Sequence, residues 1–145
     1  MPGYELVGRG GVDLGELWEK KGHQAYEGAT VPGFPNLFLF MGPYSAAGAS
    51  YFTMIDTQSR HMSRVLVEAR RQGASRVEVR SEAFRADFRR IERRREDTLL
   101  FAGRCDSSNS YYFDTHGDTP GLRPVTGGQH WLRSRTFPLR DYRYD

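Results

Sequence analysis

The sequence predicts an α+β fold, and three observations carry that prediction. Leu37 to Met41 is an unbroken apolar run between the turn signals Pro35 and Gly42-Pro43. It is too short for an ordinary helix and lacks the alternation of a strand with one wet face, so it reads as a strand in the middle of a covered sheet. Ser45 to Gln72 repeats apolar residues at three- and four-residue steps (Phe52, Ile55, Met62, Val65, Leu66, Ala69), with Asp56, Arg60, Arg64, Glu68 and Arg71 opposite. Arg76 to Arg80, RVEVR, alternates as a short strand with Val77 and Val79 inward.

Taken in order, residues 1–30 form a turn-rich lead-in, 31–74 a strand-turn-helix unit, and 75–145 a strand, a helix and an irregular C-terminal part. Tyr4 to Val7 is long enough only for a brief strand, and Val12 to Lys21 reads as a short helix with Leu14, Leu17 and Trp18 on one side. Gly8, Gly10 and Asp13 approach a GxGxxG fingerprint but miss its last glycine. Pro32-Gly33 and Pro35 turn the chain ahead of the apolar run, and Ser45 suits the N-cap of a helix opening at Ala46. Gly73 stops that helix. Ser81 can cap the next, which buries Phe84, Phe88 and Ile91. Tyr111-Tyr112-Phe113 is expected as a strand, His116-Gly117-Asp118 as a turn, Thr126-Gly127-Gly128 as loop, and Trp131 to Phe137 as a last short element.

At 145 residues with 13% aromatic content the chain is one domain able to bury a core. Its single cysteine, Cys105, excludes an internal disulfide and fits a reducing compartment. No signal peptide or membrane span is visible, so a cytoplasmic protein is expected. The net charge of +3 and the arginine-rich stretch invite a nucleic-acid reading. Between Ser81 and Asp97, however, six arginines face five acids, a local balance of only +1. That describes a solvated helix face, not a phosphate-binding surface.

Catalytic and metal chemistry find little support. His61 lies on a helix without a partner at metal-ligand spacing, which describes a core or surface histidine. Ser110, His116 and Asp118 lack a GxSxG elbow and lie too close in sequence to converge as a triad. Cys105 has no CxxC partner. The corner Gly42-Pro43-Tyr44-Ser45 is the candidate ligand site, because a strand, a glycine turn and a helix start bring backbone N–H groups together.

Several segments together resemble one family. GRGGVDLGELW, AYEGATVPGFPNLFLFMGPYSAAG, the helix containing IDTQSRHM, RVEVRSEAF and a late C-x-S-x-x-S-Y-Y match in order the C-terminal part of flavin-containing monooxygenases of the Baeyer-Villiger type. GFPNLF followed by Gly-Pro is the most specific of these. The resemblance implies an incomplete α/β flavoprotein fold and enzymes that use FAD and NADPH to oxygenate ketones or soft heteroatoms. It also implies that Gly42, Pro43, Tyr44 and Ser45 lie beside the flavin, with a helix N-terminus directed at it, and that Tyr111 and Tyr112 lie near the substrate. The family's two GxGxxG motifs, and the His- and Trp-containing signature between them, are absent from these 145 residues. Ser110-Tyr111-Tyr112 replaces the Ser-Trp-Tyr of many relatives. The chain alone is therefore expected to be inactive and to hold neither cofactor tightly, with an N-terminal monooxygenase half or a second copy as partner. The alternative is a non-catalytic α+β interaction or binding module, or a gene remnant, that keeps the family's shape.

Overall fold

The computed structural model describes residues 5–48, 50–98, 113–114 and 116–145. Among them lie four α-helices, α1 (Leu14–Lys21), α2 (Tyr51–Gln72), α3 (Ser81–Arg95) and α4 (Gly127–Thr136), and two short strands, β1 (Val77–Val79) and β2 (Tyr142–Tyr144). The fold is mixed α and β, as the sequence predicts.

Three of the four helices have a local reason to start or stop. The Asp13 carboxylate accepts from Glu16 N–H at 3.0 Å and opens α1, while Lys20 and Lys21 sit at its negative end. Gly73 takes the left-handed conformation (φ 67°) that ends α2. Ser81 is the first residue of α3, not its cap; Arg80 holds that position without a side-chain cap bond. Thr126-Gly127-Gly128 is not loop but the cap and first turn of α4. Thr126 and Gln129 form a capping box there, which outweighs the two glycines.

β1 and β2 pair antiparallel, with Val77 opposite Tyr144, Glu78 opposite Arg143 and Val79 opposite Tyr142. Asn36 extends this small sheet. Its N–H donates to the Val77 carbonyl, and its side-chain oxygen accepts from Val77 N–H, both at 2.9 Å. A left-handed φ of 59° at Asn36 makes both bonds reachable.

The apolar run Leu37 to Met41 is not a strand of a covered sheet. Its apolar character on both sides has another cause: it runs between two cores. Leu37 and Leu39 pack on Leu14, Ala25, Val31 and Phe34, whereas Phe38 packs on the group containing Tyr26, Val65, Val79, Phe137 and Tyr142. Phe40 is 57% exposed.

Two further expectations are corrected. The long helix begins at Tyr51, not beside Ser45, because the preceding backbone bonds sideways. Tyr44 N–H donates to Pro120 O, Arg123 N–H donates to Ala46 O, and Ala46 bridges to Leu122. The inward face of α2 is also rotated from the apolar count. Met54, Thr57, Gln58, His61, Met62, Val65 and Ala69 are buried, while Phe52 is 82% exposed and Leu66 is exposed. The expected strand at Tyr111 to Phe113 falls largely outside the described residues.

Gly28 and Gly42 touch back to back. A Cβ on Gly42 would sit 2.5 Å from the Gly28 carbonyl oxygen, too close for any side chain. Gly42→Ala is predicted to lower unfolding free energy by about 1–3 kcal/mol in urea titrations, the usual cost of overpacking. Gly121→Ala, in open space, should change it by less than about 0.5 kcal/mol. Equal effects at the two positions would contradict the close approach.

Candidate functional site

The corner Met41 to Ser45 rests on a buried group of charges that the sequence reading did not single out. Glu27 lies in the turn after Tyr26 with φ 50°, and Gly28 follows at φ 70°. Arg123 Nη2 donates to Glu27 Oε2 at 2.7 Å and to Asp87 Oδ1 at 3.0 Å. Arg133 Nε donates to Glu27 Oε1 at 2.7 Å, and Arg90 reaches both carboxylates. Glu27 N–H donates to Asp87 Oδ2 at 3.0 Å. Glu27, Asp87 and Arg123 are all buried. Burial alone pushes the Glu27 carboxyl up, but Arg123, then Arg133 and Arg90, more than offset it and hold it below the ordinary value. Burial likewise disfavours the Arg123 cation, and Glu27 and Asp87 reverse that effect, so its pKa is raised.

This cluster reaches the corner directly, because Arg123 Nη1 donates to the Tyr44 carbonyl at 3.1 Å. From α2, Gln58 Oε1 accepts from Met41 N–H at 2.7 Å while Gln58 Nε2 donates to Gly28 O at 3.0 Å. Met41 and Tyr44 both take left-handed conformations, φ 54° and 57°. The Tyr44 ring is fully buried, edge-on to Phe88 at 5.8 Å, and Ser45 is buried too. Gly42 and Pro43 are half-buried, and Gly42 N–H donates to no group among the described residues. The corner thus offers backbone to a ligand, not the side chains of Tyr44 or Ser45. Beyond it an open cleft of about 610 Å³ is lined by Ala46, Gly48, Arg94, Leu122, Val125 and Thr126. Tyr111 and Tyr112 lie outside the described residues.

A second polar group fills the larger core. His61 stacks on Phe137 with centroids 3.9 Å apart, and its Nε2 shares a 2.7 Å hydrogen bond with Tyr142 Oη, which also meets Thr30 Oγ1 at 2.9 Å. Burial, then Arg64, lowers the His61 pKa to about 3. Burial, then Arg123, lowers that of His130 to about 4. Among the described residues no group of His, Cys, Asp and Glu is arranged to hold a metal ion. No helix among them is long and apolar enough to cross a membrane.

Part of this was visible in the sequence. Asp87 lies on the same stripe of α3 as Phe84, Phe88 and Ile91, and Glu27 interrupts a run of small and apolar residues from Ala25 to Val31. A carboxylate on an apolar face signals a buried ion pair. Nothing in the sequence names Arg123 and Arg133 as the partners.

No family model matches the chain. It is 30% identical over 139 residues to a Baeyer-Villiger monooxygenase of Streptomyces coelicolor, an alignment covering 94% of this chain and 26% of that protein. An oxidized steroid monooxygenase bound to NADP shares the fold with a TM-score of 0.79 at 24% identity, over 97% of this chain and 26% of that one. The OTEMO complex with FAD and NADP also gives 0.79, at 19% identity, over 96% of this chain and 26% of that one. In sequence and in fold the chain is similar to a segment of flavin-dependent monooxygenases. More narrowly, the chain is similar along nearly its whole length to the C-terminal part of Baeyer-Villiger monooxygenases, and it spans about a quarter of the length of the relatives it matches.

The two buried histidines set a pH dependence. Both are held below the ordinary 6.5, so the folded chain refuses protons that the unfolded chain accepts. Their contribution is complete above that value and is lost as pH falls toward their folded values, at up to about 1.4 kcal/mol per pH unit for each. Glu27, also depressed, adds a further loss below 4.5. Urea midpoints should hold level from pH 7.5 to about 6.5 and fall from there to pH 5, and His130→Gln should flatten the decline. A wild-type midpoint that does not move across this range would contradict the neutral, buried state of both rings.

Proposed function

We propose that this chain is the C-terminal part of an FAD- and NADPH-dependent monooxygenase that oxygenates ketones or soft heteroatoms. The observation that carries the reading is the alignment to a Baeyer-Villiger monooxygenase over 94% of this chain but only 26% of that protein. The 145 residues hold no GxGxxG, so the pyrophosphate sites must come from another segment or polypeptide, and the chain alone binds neither cofactor tightly. The lone cysteine supports a reducing, cytoplasmic setting.

When bound, FAD supplies the redox chemistry toward O2 and NADPH the hydride. This chain's own part is to shape one wall. Gly42 and Pro43 are half-buried, and the Gly42 N–H, which donates to no group among the described residues, is free to meet a flavin acceptor. Those features fit contact with a flavin edge but not the tight hold that a pyrophosphate needs. The dipole of α2 adds little at Ser45, since that helix starts at Tyr51 and a helix dipole acts within its first turn. The backbone of Leu37 to Phe40 makes one hydrogen bond to a distant residue, Leu39 N–H to Ala29 O, and the exposed Phe40 ends it. Such an edge suits cover by the rest of a monooxygenase, or by a second copy.

Burial of Tyr44 and Ser45 favours a second reading, a non-catalytic α+β interaction module whose corner is held without any ligand. A chimera separates the two. In the Streptomyces coelicolor relative, the aligned segment is replaced by this chain, and flavin absorbance and NADPH oxidation are followed beside the isolated chain. Flavin retention and turnover by the chimera alone is the expected result. A folded chimera without flavin would favour the module, and turnover by the isolated chain would overturn the need for outside dinucleotide folds.

A further inference from the structure

Gly42-Pro43 is flanked by two residues in a conformation that costs a non-glycine residue about 1–2 kcal/mol each. Met41 and Tyr44 are both left-handed, and at each a buried side chain from elsewhere in the chain takes a backbone hydrogen bond. At Met41 it is Gln58, which is 1% exposed. At Tyr44 it is Arg123, 6% exposed, whose direction is fixed by Glu27 and Asp87.

The Gln58 amide has one usable orientation. Its oxygen must face the Met41 N–H and its NH2 the Gly28 carbonyl, so neither a flipped amide nor a leucine satisfies both. Gly28 O is also the atom that a Cβ on Gly42 would strike. Gln58 therefore holds one end of the corner and the surface it leans on, while Arg123 holds the other end. Gln58 is buried away from the cleft, and Arg123 borders it with only 6% of its surface exposed, its guanidinium already engaged by Glu27, Asp87 and the Tyr44 carbonyl.

We infer that Gln58 and Arg123 are positioning residues that fix the backbone of the Gly42-Pro43 corner, and with it the direction of the Gly42 N–H. The consequence for a flavin rests on the functional reading above; the clamp itself does not.

Amide exchange on the full chain, followed by NMR, tests the clamp. Gln58→Leu should speed exchange at Met41 about tenfold more than at Val65 and Ala69, the internal gauge of global stability. Gln58→Glu keeps an acceptor for Met41 N–H and should bring that amide back near the wild-type rate. Arg123→Lys keeps the charge between Glu27 and Asp87 but cannot span to the Tyr44 carbonyl. The Tyr44 N–H is bonded elsewhere, to Pro120 O, so the carbonyl is read directly: its 13C resonance should shift while those of Val65 and Ala69 stay in place. If Met41 exchange changes only in step with Val65 and Ala69, if the Tyr44 carbonyl resonance does not shift, or if the glutamate variant behaves as the leucine variant does, the clamp is refuted. In the chimera, Gln58→Leu should shift the flavin absorbance or fluorescence at unchanged fold. An unshifted flavin would show that the corner does not touch it. A wild-type chimera without flavin would sink the functional reading while leaving the exchange result to decide the clamp.

Discussion

Arg123 sits between Glu27 and Asp87 with almost no access to water, and the rest of the structure depends on that junction. Removing charged groups from water costs several kcal/mol per ion and is offset only when each is closely paired and hydrogen-bonded. Here the pairing is dense. Three guanidiniums, those of Arg90, Arg123 and Arg133, meet two carboxylates, and the Glu27 N–H and the Tyr44 carbonyl take up remaining bonds. The cluster joins the turn at Glu27, α3, the link before α4, and α4 itself. It also explains why a glutamate tolerates a left-handed backbone: its amide is anchored on Asp87 while both of its oxygens are held by arginines.

From that junction the corner follows. The turn holding Glu27 brings Gly28 against the corner so closely that a side chain on Gly42 would strike the Gly28 carbonyl and one on Gly28 would strike Ser45. Arg123 then catches Tyr44, and Gln58 completes the frame from α2. What lies outside the frame is open: the Gly42 N–H, the half-buried Pro43 and the exposed Phe40. A rigid inner support with an open outer edge is what a segment contributing one wall to a larger site requires.

The sequence made much of this architecture legible, where local chemistry decides. Asp13 ahead of α1, Gly73 after α2, the alternation of RVEVR and the stripe of α3 all act within a turn or a strand of their own position. The misreadings share one physical cause, a partner far along the chain. Leu37 to Met41 is apolar on both sides because two separate cores flank it, a pattern identical to that of a covered strand. Ser45 could have capped a helix, but lateral bonds to Pro120 and Arg123 hold the backbone around it. β2 is invisible until β1 is placed beside it. The inward face of α2 carries Gln58 and His61 because it packs on backbone and hydroxyl groups that need polar partners, which a count of apolar residues cannot register. Of the candidate site, GFPNLF with Gly-Pro located the corner; the charges supporting it came only with the fold.

The most direct measurement is a double-mutant cycle between Glu27 and Arg123, read as unfolding free energy in urea. Glu27→Gln and Arg123→Met are each predicted to cost about 3–5 kcal/mol, because each strands a buried charge. The double variant should cost little more than either single one, a large coupling between the two sites. Costs that simply add, or single changes below about 1 kcal/mol as for a surface pair, would contradict the account.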